Sequence, residues 1–162
     1  MRILVANDDG IESEGIKTLA KVLSEHHKVT VVAPDGNRSA FSHSLTISKN
    51  LTFKKVESEF GFDAYSVSGT PADCIKFALH YFSDEKFDMV CSGINMGNNL
   101  GSDIMYSGTV AAAVEANFLG LKSIAFSNTG RSDFDFKSNA KVIAEIFDRL
   151  AEIASVKYAL NV

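Results

Sequence analysis

Two adjacent carboxylates follow the first apolar run of the chain. Asp8 and Asp9 come after the apolar residues 3–6 and Asn7, and Gly10 follows them. Burying two like charges side by side costs free energy and disfavours their joint ionisation. A bound cation would remove that cost, so the pair indicates half of a divalent metal site. An Asp-Gly pair is also a common turn signal, and this tetrapeptide alone leaves both interpretations open.

The segment after the acidic pair has a helical pattern. Apolar residues recur at i, i+3, i+4 and i+7, in the order Ile16, Leu19, Ala20 and Leu23. This spacing predicts a helix near residues 14–25. A hairpin would need a second strand after the turn, so the unit is instead a strand, a turn and a helix. The two aspartates are therefore expected at the carboxyl end of a strand, where open α/β sheets bind their ligands.

Two further loops place oxygen-bearing side chains after predicted strand ends. Ser39 and His43 lie in the polar loop after strand 29–33, and Asn95 lies in a loop rich in Gly and Asn, residues 93–106. The carboxyl ends of parallel strands share one edge of a sheet, so we expect these loops to meet the aspartates. Carboxylate, hydroxyl and amide oxygens suit hard cations such as Mg²⁺, Mn²⁺ or Ca²⁺. The four histidines have no spacing typical of a zinc site.

The Gly- and Asn-rich loop runs into Ser107, Gly108 and Thr109 at the start of a predicted helix. Such runs are ordinary loops more often than binding sites, and both hydroxyl residues could be N-caps. The free backbone N–H groups and the dipole at a helix start also attract phosphate, and Gly108 would allow a close approach. The segment is neither a Walker loop nor the GxGxxG motif.

A metal site and a phosphate-binding helix start at one sheet edge would suit hydrolysis of phosphate monoesters. The metal would polarise a phosphoryl oxygen and lower the pKa of a bound water. Positioning and charge stabilisation would supply most of the catalysis, and an aspartate could orient or deprotonate the attacking water. A haloacid-dehalogenase-like phosphatase also has an aspartate after its first strand, but its Asp-x-Asp spacing and aspartyl-phosphate do not match the adjacent Asp8 and Asp9.

Strands and helices alternate along most of the chain. This order predicts an α/β, Rossmann-like fold of three layers, with helices on both faces of a mostly parallel sheet. A segment at about 45–67 has short β patterns and is expected to be a small inserted β meander with a turn at Phe60 and Gly61. The predicted strands are 2–6, 29–33, 88–92 and 122–127, and the meander segments are 45–47, 51–53 and 64–67. The predicted helices are 14–25, 108–119 and 135–154, together with a helix that begins after Thr70 as its N-cap.

Composition bounds the class of protein. The 162 residues suffice for a single domain, 1–162. A net charge of -4 provides no basic field for a nucleic-acid duplex. Cys74 and Cys91 lack CxxC spacing, so we expect buried thiols of a reducing compartment. A strand begins at once and no apolar run approaches the length of a membrane span, so we expect no signal peptide, no membrane partner and a cytoplasmic location.

Five ordered blocks of the chain resemble the SurE (survival protein E) family of 5′/3′-nucleotidases. Each block alone would be weak, but together they are specific and span most of the chain. They are residues 1–10, 33–39, 68–74, 92–101 and 106–113. The resemblance implies a Rossmann-like α/β core and a metal-dependent phosphatase that acts on nucleoside 5′- or 3′-monophosphates.

The resemblance also implies the metal site. It would hold one divalent ion per subunit, Mg²⁺ or Mn²⁺. Its implied ligands are Asp8, Asp9, Ser39 and Asn95. The metal-bound water would be the nucleophile, with Asp8 and Asp9 as the catalytic residues and Asp9 as the candidate to assist that water.

The helix start is implied to bind the phosphate group of the substrate. The implied residues are Ser107, Gly108 and Thr109, with Asn95 beside them. The family is cytosolic and typically dimeric, sometimes tetrameric. The resemblance therefore implies a cytoplasmic homodimer or tetramer with a nucleoside monophosphate as its substrate.

Two features depart from the family pattern. Ala6 stands where the family usually has Thr, at a position that is not a metal ligand. The chain ends at Val162, inside what resembles the Leu-Asn-Val-Asn-x-Pro stretch of the family. Family members continue with a C-terminal portion that is absent here, and we expect pocket closure and dimerisation to depend on it. The alternative expectation is a nucleotide-binding module with little turnover.

Overall fold

A computed structural model describes residues 1–57, 61–130 and 135–162 of the chain. Within these residues, seven strands form one sheet and four helices cover it. The strands are β1 (Arg2–Ala6), β2 (Lys28–Pro34), β3 (Phe53–Val56), β4 (Asp63–Val67), β5 (Met89–Met96), β6 (Lys122–Asn128) and β7 (Leu160–Asn161). The helices are α1 (Glu14–Ser24), α2 (Pro71–Tyr81), α3 (Gly108–Phe118) and α4 (Phe136–Ile153), and a 3₁₀ turn spans Gly101–Met105.

The sheet is parallel except at one edge. Its strand order is β3-β4-β2-β1-β5-β6-β7, and only β3 and β4 pair antiparallel among the described strands. β1 is central, with Ile3 opposite both Val29 of β2 and Met89 of β5. The α/β fold class with a mostly parallel sheet is confirmed. The carboxyl ends of β1, β2 and β5 lie side by side, so the loops after them share one edge.

Alternation along β1 explains the three layers. Ile3 and Val5 point into a core cluster formed with α1 and α4, whereas Leu4 and Ala6 belong to a second cluster formed with α2 and α3. Successive side chains of a strand point to opposite faces. Because both faces are covered, the strand is apolar at every position from Ile3 to Ala6 and is fully buried there. This continuous burial is typical of parallel sheets.

The β-rich segment at 45–67 differs from the expected inserted meander. Residues 45–47 are not a strand, because the Thr46 amide donates to the carboxylate of Asp73 instead of a strand neighbour. The middle pattern is displaced to Phe53–Val56. The last one, β4, pairs parallel with β2 and thus extends the main sheet. The predicted turn at Phe60 and Gly61 includes Phe60, which lies outside the described residues.

Strand β5 is longer than predicted, and this changes the setting of Asn95. The loop was expected to begin at residue 93, but β5 continues to Met96. After an irregularity in register, Asn95 pairs with Ser127 and Met96 with Asn128 of β6. The Gly- and Asn-rich sequence therefore includes a strand end, which fixes the backbone of Asn95 on the sheet.

The cysteines and the capped helix follow the sequence prediction. Cys74 and Cys91 are free and buried, and burial raises the pKa of both thiols. Thr70 caps α2 in a reciprocal arrangement, since its hydroxyl accepts from the Asp73 amide while the Asp73 carboxylate accepts from the Thr70 amide. No helix in the described part of the chain has the length and apolar character to cross a membrane.

Candidate functional site

The acidic turn after β1 is braced by Asn7. Its buried side-chain amide donates to the Gly10 carbonyl at 3.0 Å and to the Ser13 hydroxyl at 2.7 Å, and its side-chain oxygen accepts from the Gly10 amide at 3.2 Å. Gly10 has φ +100° and lies against the backbone of Gly36, where a Cβ would come within 3.0 Å. The turn is therefore fixed to α1 on one side and to the loop after β2 on the other.

Asp8 is buried and makes the contact that assembles the site. The Thr109 hydroxyl donates to Asp8 Oδ1 at 2.5 Å, and the Arg38 amide donates to the Asp8 carbonyl at 2.6 Å. A side chain at Gly108 would put its Cβ 2.7 Å from Asp8 Cβ and 3.0 Å from Pro71 Cγ. Glycine therefore lets the first turn of α3 lie directly against the acidic turn.

Asp9 is half-buried and faces the end of β5. The Met96 amide donates to Asp9 Oδ2 at 3.4 Å, which places the carboxylate beside the residue next to Asn95. The Asn95 side-chain nitrogen donates to the Gly97 carbonyl at 2.7 Å. The side-chain oxygen of Asn95 is thus the atom that it can offer to a cation.

The loop of Ser39 is attached to the acidic turn by Arg38, the residue before it. Ser39 is exposed, and its amide donates to the Asn37 side-chain oxygen at 2.8 Å. Arg38, which precedes it, holds the Asp8 carbonyl through its amide and pairs with Asp35 at 2.6 Å through its guanidinium. The structure thus places Ser39 one residue from a backbone contact with Asp8.

The electrostatics of the two aspartates favour a cation. Burial raises the pKa of Asp8 above its usual value, and the hydrogen bond from Thr109 offsets part of that effect. Burial also raises the pKa of Asp9, and the neighbouring charge of Asp8 raises it further. In the described residues, no third His, Cys, Asp or Glu joins them in a cluster that could hold a metal. Neutral oxygens of Ser39 and Asn95 are the candidates to complete such a site.

We expect the pKa values of Asp8 and Asp9 in the metal-free chain to lie above 3.8, the ordinary aspartate value. A raised pKa means that the native state holds more protons than the unfolded state between the ordinary and the raised value. The free energy of unfolding contributed by these groups therefore falls as pH rises through that window. An NMR titration of the side-chain carboxyl carbons measures both pKa values, and values at or below 3.8 would contradict the expectation.

The structure shows which of the two hydroxyl residues at the start of α3 caps the helix, a point that the sequence left open. The Ser107 hydroxyl accepts from the Val110 amide at 3.1 Å, so Ser107 is the N-cap. Thr109 does not cap the helix, because its hydroxyl is directed to Asp8. The positive end of the α3 dipole consequently lies at the acidic turn, beside the residues that the sequence predicted for metal binding.

Two residues near the site were missed at the sequence level. Asn7 was read only as part of the tetrapeptide, although its amide side chain closes the turn. Glu115 is buried in α3 and contacts His43. A signal for Glu115 existed, because it is the only charged residue between Gly108 and Phe118. A charge within an apolar helix is buried only when it has a partner.

The fold and the site together define a class of α/β domain. In this class, paired carboxylates at the central strand end meet the start of a helix across the carboxyl edge of a parallel sheet. The chain belongs to the SurE family, because the family model "Survival protein SurE" matches residues 3–162. The resemblance noted from the sequence motifs is thereby confirmed.

Curated relatives and a solved structure agree with this assignment. The 5′-nucleotidase SurE of Clostridium botulinum (strain 657 / Type Ba4) is 48% identical over 152 residues, which cover 93% of this chain and 60% of the relative. The 5′-nucleotidase SurE of Pseudothermotoga lettingae is 44% identical over 148 residues, covering 91% of this chain and 57% of the relative. The crystal structure of SurE from Aquifex aeolicus has a TM-score of 0.84 and 42% identity, covering 94% of this chain and 61% of that one.

The chain therefore spans 57–60% of the length of these two curated relatives. All the candidate site residues lie between Asp8 and Thr109, within the matched region. The relatives are 5′-nucleotidases by name.

Proposed function

We propose that this chain carries the active site of a metal-dependent phosphatase for nucleoside 5′- or 3′-monophosphates. The observation that supports the proposal most directly is the hydrogen bond from Thr109 to Asp8. It joins the start of α3, the candidate phosphate site, to the candidate metal site within one side-chain contact. The names of the relatives supply the substrate class.

The proposed metal site consists of four oxygen donors. They are Asp8, Asp9, Ser39 and Asn95. The donor set fits one Mg²⁺ or Mn²⁺ ion, because two carboxylates and two neutral oxygens match the ligand preferences of hard divalent cations. The buried charge of Asp8 beside Asp9 is costly without a counterion, so the ion would offset a cost already present in the protein.

The proposed phosphate site is the first turn of α3. Ser107 caps this helix, Gly108 and Thr109 begin it, and Asn95 is the last but one residue of β5. The helix start offers backbone N–H groups and a positive dipole end to the phosphate oxygens. The Ser107 hydroxyl accepts from the Val110 amide and is still a further donor, whereas the Thr109 hydroxyl proton is already bonded to Asp8. Gly108 adds no side chain that would keep the phosphate away.

The proposed reaction is attack of water on the phosphorus, with the nucleoside as leaving group. A bound metal ion would polarise a phosphoryl oxygen and lower the pKa of its water. Asp9 orients the attacking water, accepts its proton and passes that proton to the oxygen of the departing nucleoside. Asp9 has this role because it is half-buried at the rim of the site, whereas Asp8 is committed to Thr109. The start of α3 holds the phosphate and stabilises the charge that develops on it.

Phosphate release from a panel of 5′- and 3′-monophosphates tests the proposal. We expect release from AMP or GMP to require Mn²⁺ or Mg²⁺ and to fall to the uncatalysed level with a chelator. Calorimetric titration of the same nucleotides separates turnover from binding. Release that is unaffected by the chelator contradicts metal dependence, and nucleotide binding with metal present but without phosphate release favours the alternative module.

That alternative is a nucleotide-binding module with little turnover. In this case the metal and phosphate residues would bind a nucleotide without fast hydrolysis.

We also propose that the chain assembles as a homodimer, or as a tetramer, in the cytoplasm. Several large apolar side chains are exposed near the start of α3 and at its end, which suits burial against a second copy. They are Met105, Tyr106, Phe118 and Leu119. Sedimentation velocity would show a single monomeric species if this proposal is wrong.

A further inference from the structure

The loop that carries Ser39 has an unusual backbone. Ala40 has φ 61° and Ser42 has φ 52°, both in the left-handed region that residues with a side chain rarely adopt. Each such residue costs free energy and persists only where surrounding contacts hold it. The loop must therefore be held from outside, and its contacts identify what holds it.

Two hydrogen bonds to backbone groups of the loop attach its second half to neighbouring elements. The Ser42 amide donates to the Tyr106 carbonyl at 3.1 Å, just before the start of α3. The Thr70 hydroxyl, at the start of α2, donates to the Ser44 carbonyl at 2.7 Å. These bonds fix the loop near two helix starts.

One side-chain contact anchors the same half of the loop to the body of α3. The His43 ring donates from Nε2 to Glu115 Oε2 at 2.7 Å and stacks on Phe118, with ring centroids 5.7 Å apart. Glu115 is buried, with 6% of its surface exposed. Lys76 is a second neighbour of Glu115, at the longer distance of 3.6 Å and with half its side chain in solvent. A buried carboxylate needs a close partner, and His43 is the closer one.

The first half of the loop is attached to the acidic turn. Its contact is the 2.6 Å hydrogen bond from the Arg38 amide to the Asp8 carbonyl. Ser39 follows Arg38 directly and lies four residues before His43. Ser39 therefore lies between two attached points of the loop, the Arg38 contact with Asp8 and the His43 contact with Glu115. Both residues with positive φ lie between Ser39 and His43.

We propose that His43 and Glu115 are positioning residues that hold the Ser39 hydroxyl at the metal site. The inference rests on the proposed function, since it assigns the pair a role in metal binding. Helix α3 then serves both sides of the site, because Thr109 contacts Asp8 and Glu115, about 9 Å farther along the helix, holds the loop. Loss of the His43–Glu115 contact releases the loop and weakens cation binding.

Three substitutions in the whole chain test this inference by Mn²⁺ calorimetry and by hydrogen exchange of the Ser42 amide. His43→Ala is expected to weaken Mn²⁺ binding about 10-fold and to speed Ser42 exchange by a similar factor, which is the size of a lost hydrogen bond to a charged group. His43→Gln keeps an N–H donor and is expected to restore most of both. Lys76→Met removes the more distant neighbour of Glu115 and is expected to change neither.

The outcomes separate the inference from the proposed function. Mn²⁺ binding by His43→Ala as tight as that of the parent chain overturns the inference, whether or not Ser42 exchange is faster. Equal losses in Lys76→Met also overturn it, because they would assign the effect to the general charge balance around Glu115. A parent chain that does not bind Mn²⁺ overturns the proposed function itself, and the inference with it.

Discussion

The Asp9→Asn substitution is expected to abolish metal-stimulated phosphate release while it raises the stability of the metal-free chain. The loss follows from the removal of a charged metal ligand and of the group that assists the water. Metal-ion catalysis contributes several kcal/mol to such reactions, so we expect a loss on the order of 10³-fold. The gain in stability follows from the electrostatics, because Asp9 has a raised pKa caused by burial and by Asp8.

Two measurements on one protein preparation check the prediction. Phosphate release with Mn²⁺ gives the activity, and urea unfolding with a chelator gives the free energy of unfolding. Asp84→Asn is the matched control, since it makes the same chemical change at an exposed position, and we expect it to change neither quantity. If the metal-free Asp9→Asn chain is less stable than the parent, the Asp9 carboxylate stabilises the fold. The expectation that its charge destabilises the metal-free chain is then wrong.

The Gly15→Ala substitution is expected to destabilise the chain strongly, against the usual effect of this change in a helix. Alanine in place of a helical glycine normally stabilises by about 1 kcal/mol. At Gly15, however, an added Cβ would lie 2.0 Å from the carbonyl oxygen of Ile94 and 3.3 Å from the ring of Phe136. The helix or the strand must move, which we expect to cost about 3 kcal/mol or more.

Chemical unfolding of Gly15→Ala and of a second glycine variant checks this expectation. Gly36→Ala is the control, because its added Cβ would meet only Arg38 Nη1, at the ordinary distance of 3.6 Å. We expect the control to stay within about 1 kcal/mol of the parent chain. A Gly15→Ala chain as stable as the control would show that α1 does not need its close approach to β5. Because Ile94 precedes Asn95, a shift there is also expected to weaken Mn²⁺ binding.

Local patterns were enough to predict most of the elements. The alternation of strands and helices gave the fold class, and the spacing of Ile16, Leu19 and Leu23 gave α1 nearly to its observed ends. The capping box at Thr70 and Asp73 was also readable, because a cap depends on residues three positions apart. These features share one property: the interactions that decide them are close in sequence.

The features that were missed depend on contacts between distant residues. β4 joins the main sheet because it pairs with β2. The register of that pairing cannot be predicted from the sequence of either strand alone. Asn95 lies on a strand because β6 extends the pairing of β5 beyond its apolar part. The contact of Thr109 with Asp8 joins residues 101 positions apart, and only the folded sheet could decide between it and a helix cap.

The central place of β1 in the sheet has a consequence for the synthesis of the protein. Among the described strands β1 is made first, and its partner β2 follows within about thirty residues. Its other partner is β5, and Met89, which pairs with Ile3, comes 86 positions later. At a synthesis rate of about 5–20 residues per second, one edge of this apolar strand stays unpaired for roughly 4–17 s until β5 is made. Asp8 and Asp9 therefore acquire the surroundings of the site only after Thr109, the last of the candidate site residues, has been made.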